Sequence, residues 1–343
     1  GFDFLQNPLS LAEDPANGNV YVSEVGAQKL TLLRPIAPHA AVAASQPLLV
    51  FNAADTQHGG GPTAPQTLTV TNTGNIPLTI GAVNIVGDAS AMDATPDAAA
   101  FTITNASSIP ASLGPGQSFN LSITFTASSS VIHAALLKVQ SNAGMLSVQL
   151  HGIGTPGQFG TNEPSLVRVL RAYDIPTIVG AGPNDVNEAN PAYPEVPDPS
   201  SQEVPMQRLV KAGSGPVTIT PLASFDASSQ PALRLGYYTS GSPNDRTELF
   251  YLNQGDAQTV NPNPQGATSF DPGYAPFSLY GVYPGISTPN GQPDIHYSED
   301  TFNTLDPTYP RKFRFFPLEN PDKSVVPNAY VVAAEDFNNP QYN

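Results

Sequence analysis

The residues best suited to chemistry in this sequence lie in two short acidic clusters near its C-terminal end. The first reads Tyr297-Ser-Glu-Asp-Thr-Phe-Asn303 and the second reads Glu335-Asp-Phe-Asn-Asn339. Proteins bind Ca²⁺ through about six to eight oxygen ligands from carboxylates, amides and carbonyls, which both clusters supply. A shared cation would also relieve the repulsion between adjacent carboxylates. The clusters predict a calcium site formed by Glu299, Asp300, Asn303, Glu335, Asp336 and Asn338.

Two other interpretations of the acidic clusters stay open. They could be solvated turns in which Asp and Asn side chains cap backbone groups. They could also hold a catalytic carboxylate pair, since glycoside hydrolysis uses two carboxyl groups about 5 or 6.5–9.5 Å apart. The sequence does not define that separation, and the chain has no Trp with which to line a sugar cleft. We therefore predict no catalytic residue and expect that the chain is not an enzyme.

Tyrosines provide a second candidate site. The chain has 13 of them, and many lie in its C-terminal part. A tyrosine ring offers an apolar body and a polar tip, which suits stacking on sugars as well as packing in a core. Core packing is the alternative interpretation. The candidate glycan contacts are Tyr274, Tyr280, Tyr283 and Tyr297.

Composition excludes several functional classes. Cys is absent, so disulfides, thiolate metal sites and cysteine nucleophiles are impossible. The net charge of −15 disfavours nucleic acid and anionic membranes. The sequence contains no run of 18 apolar residues, so it predicts no membrane-spanning helix. With 37 Pro, 28 Gly and only 12% charged residues, the composition disfavours helices and is typical of exported bacterial surface proteins. We expect an extracellular or cell-surface location.

Alternating apolar and polar residues predict an all-β fold of tandem sandwiches. In residues 46–155, such runs include Gln66–Asn72, Phe119–Phe125 and Ala135–Gln140, separated by turn residues. Period-two alternation buries one face of each strand, as in an immunoglobulin-like sandwich. Residues 37–45 are a linker of small residues that leads into this module.

The same stretch resembles the hydin/abnormal-spindle class of immunoglobulin-like domains, known in bacteria as choice-of-anchor modules. Its matching phrases are Leu68-Thr-Val-Thr-Asn-Thr-Gly-Asn-Ile-Pro-Leu-Thr-Ile80, Leu113-Gly-Pro-Gly-Gln-Ser118 and Val148-Gln-Leu-His-Gly-Ile-Gly-Thr155. The resemblance implies a spacer or docking domain without catalysis.

Residues 1–36 form a predicted β-hairpin with strand-like runs at Asn19–Ser23 and Lys29–Leu33. Asn17-Gly18 supplies a turn before the first run. The phrase from Pro8 to Glu24 resembles one blade of an NHL-type β-propeller. It occurs once, and one blade cannot close a propeller. We expect either a remnant of a longer precursor or an arm packed on a neighbour.

Residues 156–343 predict a jelly-roll-like C-terminal sandwich. Its expected strands include Leu166–Leu170 and Val204–Val210, with a long Pro-rich loop over 180–203. The module resembles secreted bacterial calcium-binding sandwiches, in which a Glu-Asp strand end is followed by a polar turn and a last strand. That last strand is missing after Asn343, so we expect a truncated chain or an edge that another chain completes.

These features favour a non-enzymatic extracellular bacterial surface, adhesion or binding protein with a calcium-stabilised, candidate glycan-binding C-terminal sandwich. One alternative is a structural subunit of an extracellular filament or surface assembly, joined by β-strand complementation at open strand edges. Another is an accessory fragment of a secreted propeller enzyme that acts on carbohydrates. The expected partners are a glycan, a cell-surface molecule or a second copy.

Overall fold

The computed structural model describes residues 5–16, 19–34, 37–55, 62–157, 163–180, 201–225, 233–253, 258–287, 293–308 and 310–335. Nearly all regular structure in them is β-strand, as the alternating patterns predict. Among these residues no helix combines the length and the apolar character needed to cross a bilayer.

The N-terminal segment forms an antiparallel sheet of three strands: β1 (Pro8–Asp14), β2 (Asn19–Glu24) and β3 (Lys29–Leu33). The predicted hairpin thus has a further strand, β1, on its open side. The buried Glu24 carboxylate accepts hydrogen bonds from the Thr31 hydroxyl and the Gln6 N–H, and these donors hold its pKa below the usual range. Outside this polar centre the sheet exposes Leu9, Leu11 and Leu30, so its apolar surface is largely uncovered.

The second module is a two-sheet sandwich. One sheet has the order β10-β7-β12-β13-β5 with β8 beside β12, and the other has the order β4-β6-β11-β9. β5 and β13 run parallel, and the other pairs in the two main orders are antiparallel. The strands are β4 (Val42–Ala44), β5 (Leu48–Asp55), β6 (Gln66–Asn72), β7 (Leu78–Gly87), β8 (Thr95–Pro96), β9 (Phe101–Ile103), β10 (Ser112–Leu113), β11 (Ser118–Phe125), β12 (Ile132–Ser141) and β13 (Gly144–Thr155).

The core of this sandwich is closed and aromatic at its centre. Phe51, Phe101 and Phe125 lie with ring centroids 5.2–6.1 Å apart. Gly152 faces this cluster, and a Cβ placed there would lie 2.3 Å from the Phe125 ring. Close packing of this kind requires a residue without a side chain at that position.

The α-helix α1 (Leu166–Ala172) joins the two sandwiches and is the one α-helix among the described residues. The prediction of a strand over Leu166–Leu170 is wrong. Ser165 caps the helix, since its hydroxyl accepts the Arg168 N–H at 3.1 Å. Val169 packs toward the second module and Leu170 toward the third. Burial on two sides produces a nearly continuous apolar run, which resembles the pattern of a buried strand.

The third module combines a five-stranded sheet, order β19-β17-β16-β21-β22, with the hairpin β23-β24 and two short pairs, β14-β20 and β15-β18. The strands are β14 (Val217–Thr218), β15 (Ala223–Phe225), β16 (Arg234–Thr239), β17 (Arg246–Tyr251), β18 (Gln258–Val260), β19 (Gln265–Gly266), β20 (Ser269–Phe270), β21 (Phe277–Ser287), β22 (Pro293–Tyr297), β23 (Phe313–Glu319) and β24 (Val325–Ala334).

The segment 204–210 is not a strand of this module, although its sequence predicts one. It makes isolated bridges at Val204, with Phe315, and at Leu209, with Phe277. Pro205 lacks the N–H that a continuous ladder needs. The segment therefore leads from the outer edge of β23, at Val204, to β21, at Leu209, and is attached to each strand by one bridge.

Candidate functional site

The first predicted acidic cluster is buried and internally bonded. Glu299 is 1% exposed. Its carboxylate accepts hydrogen bonds from Arg208 at 3.0 Å, from the Gly241 N–H at 2.9 Å and from the Ser278 hydroxyl at 2.8 Å. Asn303 is also engaged, because its amide oxygen accepts the Tyr297 N–H at 2.8 Å. Donors from the protein thus contact the oxygens of both residues.

Asp300 begins a 3₁₀ turn and faces other partners. Its Oδ2 accepts from the Gln207 side chain at 2.7 Å and lies 3.6 Å from Arg311. Its Oδ1 is buried without a hydrogen-bond partner among the described residues. Burial raises the pKa of Asp300, and the Arg311 charge opposes that rise. Asp300 is therefore the least satisfied carboxylate of the cluster.

Sequence reasoning missed the ion network beside Asp300. The Glu203 carboxylate, whose side chain is 2% exposed, lies 3.2 Å from Arg311 and 2.6 Å from Arg314. The arginines come from the start of β23, more than 100 residues along the chain. No local spacing signals such a pairing. The network holds the segment before residue 209 against the outer edge of β23.

The second acidic cluster is only partly within the described residues, because Asp336 and Asn338 lie outside them. The Glu335 carbonyl lies 2.5 Å from His296 Nδ1, and His296 Nε2 lies 3.3 Å from Asp294. Across the described ranges no group of three or more Asp, Glu or His side chains is arranged to hold a metal ion. Calcium binding by the two clusters remains a prediction.

The four candidate glycan tyrosines lie in different environments. Tyr280 and Tyr283 are buried, and Tyr283 packs on the His296 ring at 4.7 Å. Tyr297 is half-buried and its hydroxyl accepts a hydrogen bond from Arg246 at 3.0 Å. Tyr274 is 71% exposed, with the Lys211 ammonium 4.8 Å from its ring centroid. Of the four, Tyr274 is the ring with an open face for a sugar.

The third module contains a cavity of about 1240 Å³ that opens to the surface. Its floor is apolar and includes Leu235, Phe250, Phe277, Phe313 and Leu209. Protein interiors are normally packed without such spaces, and contiguous exposed apolar surface marks interaction sites. The cavity is therefore a candidate binding site.

The shape of this cavity follows from the residues that line it. Eight consecutive residues of and after β24, Asn328–Glu335, border it on one side, and eleven consecutive residues, Gly215–Phe225, border it on the other. Successive residues of a strand point to opposite faces, so a space on one face touches only alternate residues. Here consecutive residues of both segments line the space, so we infer that it lies beside their backbones rather than on one face of either segment. We call this space the slot.

The β24 side of the slot is an open strand edge. β24 pairs with β23 along one edge, and no other strand within the described ranges pairs with it. Its Tyr330 and Val332 are 43% and 41% exposed, although Val332 lies opposite the fully buried Phe315. The apolar core thus continues from β23 onto β24, where the described residues leave it uncovered.

The charge of the slot differs from that of the rest of the chain. Five basic side chains (Arg208, Lys211, Arg311, Lys312, Arg314) and four acidic ones (Glu163, Glu203, Asp300, Glu335) line it, a net charge of +1 in a chain of net charge −15. All five basic side chains form ion pairs, and the partners of three of them (Glu299, Asp271 and Asp306) lie outside the lining, so the slot is less acidic than the chain as a whole but is not a basic site.

No protein-family model and no curated protein matches the chain. Among solved structures, the PapD-like domain 7 of human CEP192 is 17% identical, with 37% of this chain and 96% of that domain covered and a TM-score of 0.27. The YadV chaperone is 10% identical over 75% of this chain and 98% of its own, with a TM-score of 0.24. The secreted serine protease VesC from Vibrio cholerae is 12% identical over 80% and 58%, with a TM-score of 0.25. These identities and TM-scores are too low to carry an argument about the function of this chain.

Proposed function

We propose that the chain is a non-enzymatic extracellular binding protein, and that the slot of its third module accepts an extended peptide segment. The observation that carries this proposal is the consecutive lining of the slot by Asn328–Glu335 and Gly215–Phe225. The open edge of β24 offers N–H and C=O groups at the spacing of a β-strand, about 3.4 Å per residue.

The slot supplies affinity and selectivity through different groups. The edge of β24 supplies main-chain hydrogen bonds, which are indifferent to sequence. The apolar floor, with Leu235 and Phe277, accepts every second side chain of the incoming segment. The preferred ligand is therefore an extended peptide with apolar residues at alternate positions.

A direct test measures the binding of two labelled synthetic decapeptides of one composition. The first alternates Val or Ile with Thr, and the second carries the same residues in blocks. We expect saturable binding of the alternating peptide, with slowed hydrogen exchange at β24 amides. Equal binding of both peptides, or no protection of β24, contradicts the proposal.

A matched pair of variants locates the binding. Val332→Glu places a charge on the uncovered face of β24 and should abolish peptide binding. Val325→Glu is the control, because Val325 is 55% exposed on the same strand but does not line the slot. Since both positions are exposed, both variants should fold normally. Loss of binding in both would place the site elsewhere.

We propose in addition that Ca²⁺ binds the two acidic clusters and stabilises the third module. Its basis is the number of hard oxygen ligands in the two acidic clusters, including Asp336 and Asn338. A cation that binds only the folded chain raises its melting temperature. We expect EDTA to lower the melting temperature and added Ca²⁺ to restore it, with no response in the Asp336→Asn, Asn338→Ala double variant. An unchanged melting temperature in EDTA argues against calcium.

We also propose that the third module binds a glycan, and this binding would depend on the exposed Tyr274. Stacking on a sugar should disappear in Tyr274→Ala and persist in Tyr251→Ala, a variant of another exposed tyrosine of the third module. A glycan array with both variants measures this difference. Retained binding in Tyr274→Ala removes the tyrosine from the proposed site.

A further inference from the structure

The chain itself contains a strand that matches the slot. β1 is seven residues long, and its Leu9 and Leu11 are 70% and 69% exposed. They stand two positions apart, which is the spacing that an apolar floor on one side of a strand accepts. β1 pairs with β2 along one edge only within the described part of the chain. An exposed apolar edge of this kind is a template for pairing with another chain.

Charge is compatible with the same match. β1 reads Pro-Leu-Ser-Leu-Ala-Glu-Asp, with Glu13 and Asp14 at its end and no basic residue. The residues that line the slot carry a net charge of +1, whereas the chain as a whole is strongly acidic. The carboxylates of β1 therefore meet a lining that is not itself net acidic.

The three longest segments outside the described ranges are poor alternatives. Residues 181–200 contain six Pro or Gly and only three large apolar side chains, and residues 226–232 contain no large apolar side chain. Residues 336–343 offer Phe337 and Tyr342 among polar neighbours and a Pro. None of them repeats large apolar residues at alternate positions, as β1 does.

We propose that β1 of one copy occupies the slot of a second copy, so that the chains associate head to tail. This inference rests on the proposed peptide-binding function of the slot and names its ligand. The two surfaces that meet are different parts of the molecule, so the contact is heterologous and each added copy presents a new free slot. Association then continues beyond a dimer.

Two variants should each prevent this growth. Leu9→Lys together with Leu11→Lys removes the apolar strand but leaves the slot intact. Tyr330→Glu together with Val332→Glu blocks the slot but leaves β1 intact. All four side chains are more than 40% exposed, so the substitutions leave the cores unchanged. Circular dichroism and thermal melts of each variant verify its fold.

Sedimentation equilibrium from about 5 to 200 μM tests the inference. We expect the wild-type chain to form species of increasing mass with concentration, and each variant to remain at the monomer mass of 35.9 kDa. An equimolar mixture of the two variants should form a 1:1 dimer and nothing larger, because it contains one intact strand and one intact slot. A wild-type monomer throughout, or a mixture that stays monomeric, overturns the inference.

A peptide competition separates this inference from the proposed function. A synthetic peptide of residues 7–15 should bind the slot and dissociate the wild-type species, while its scrambled form should not. If the alternating Val/Thr decapeptide binds and the 7–15 peptide does not, the slot is a peptide site whose ligand is another protein. If neither binds, both proposals fail.

Discussion

The two sandwiches of this chain have similar strands but different cores. Among the described residues, seventeen buried side chains form the core of the second module, and ten partly buried apolar side chains pack around them. In the third module the corresponding core has eight buried side chains, and seven partly buried ones pack around it, so a larger share of its apolar side chains is only partly buried. The second module encloses its core between two sheets. The third covers one face with the hairpin β23-β24, and within the described ranges β24 pairs with no strand other than β23.

This difference shows that the number of strands in a module does not determine whether its core is fully enclosed. In the second module the pairing of β5 with β13 connects the beginning of the domain to its end. In the third, the segment 203–209 protects one edge of the β23-β24 hairpin through Val204 and the Glu203 ion network. The other edge borders the slot. We expect the closed region to carry stability and the open region to carry binding.

The largest expected effect tests this division directly. Phe125→Ala should lower the free energy of unfolding by about 3–5 kcal/mol, because it opens a cavity in a closed core. Leu235→Ala, at the partly buried floor of the slot, should cost about 1 kcal/mol, since the lost contacts already border open space. Urea unfolding of both variants measures the difference. Equal losses would mean that the two cores are equally closed.

The second prediction concerns the protected edge of the hairpin. Glu203→Gln should destabilise the chain by about 3 kcal/mol, because it leaves the charges of Arg311 and Arg314 without their buried partner. Glu248→Gln is the control, since its pair with Arg234 is exposed and should contribute less than about 1 kcal/mol. Chemical denaturation of both gives the comparison. A small effect at Glu203 would show that the edge is held by the backbone bridges alone.

A substitution at the junction between the second and third modules should have a smaller effect on the free energy of unfolding. The Tyr173 hydroxyl donates to the Leu222 carbonyl at 2.6 Å and bonds Asn261. Tyr173→Phe should cost about 1 kcal/mol, the contribution of one hydrogen bond, and should leave peptide binding unchanged. Calorimetry measures the first effect and peptide titration the second. A loss of binding would mean that the junction positions the slot.

The smallest expected effect depends on pH. Burial raises the pKa of Asp300, so the native chain takes up this proton before the unfolded chain does. The contribution of Asp300 to the free energy of unfolding therefore becomes more favourable as the pH falls through its raised pKa. Asp300→Asn should be more stable than wild type near neutral pH by less than about 1 kcal/mol, and this advantage should shrink on acidification. Denaturation curves between pH 4 and about pH 7 measure the trend. A widening difference would show that Arg311 outweighs burial.

Local pattern predicted much of the fold. Alternation in Gln66–Asn72 and in Ala135–Gln140 predicts strands because each buries one face, and both runs lie within strands of the structure. Alternation failed at Leu166–Leu170, where a helix packs on both modules at once. The cap at Ser165 was a local signal of that helix. The β-branched residues that follow Ser165 favour a strand, and they outweigh this signal in the sequence pattern.

The site was less accessible to prediction from sequence. The pattern Glu299-Asp300 identifies a cluster of carboxylates, but its partners Arg208, Gln207 and Arg311 come from other segments. The slot has no motif either, because it is defined by an edge that lacks a partner. The exposure of Tyr330 and Val332 is known only from the structure, since the sequence does not distinguish these apolar residues from core residues.

The parallel pairing of β5 with β13 has a mechanical consequence. β5 lies near the entry of the chain into its sandwich, and β13 leads out toward α1. A pull on the two ends of this module therefore slides the strands past each other. Their ladder of hydrogen bonds is then loaded all at once rather than opened one bond at a time. We expect the second module to resist stretching better than the β23-β24 hairpin, which single-molecule force measurements would show as the later and higher rupture event.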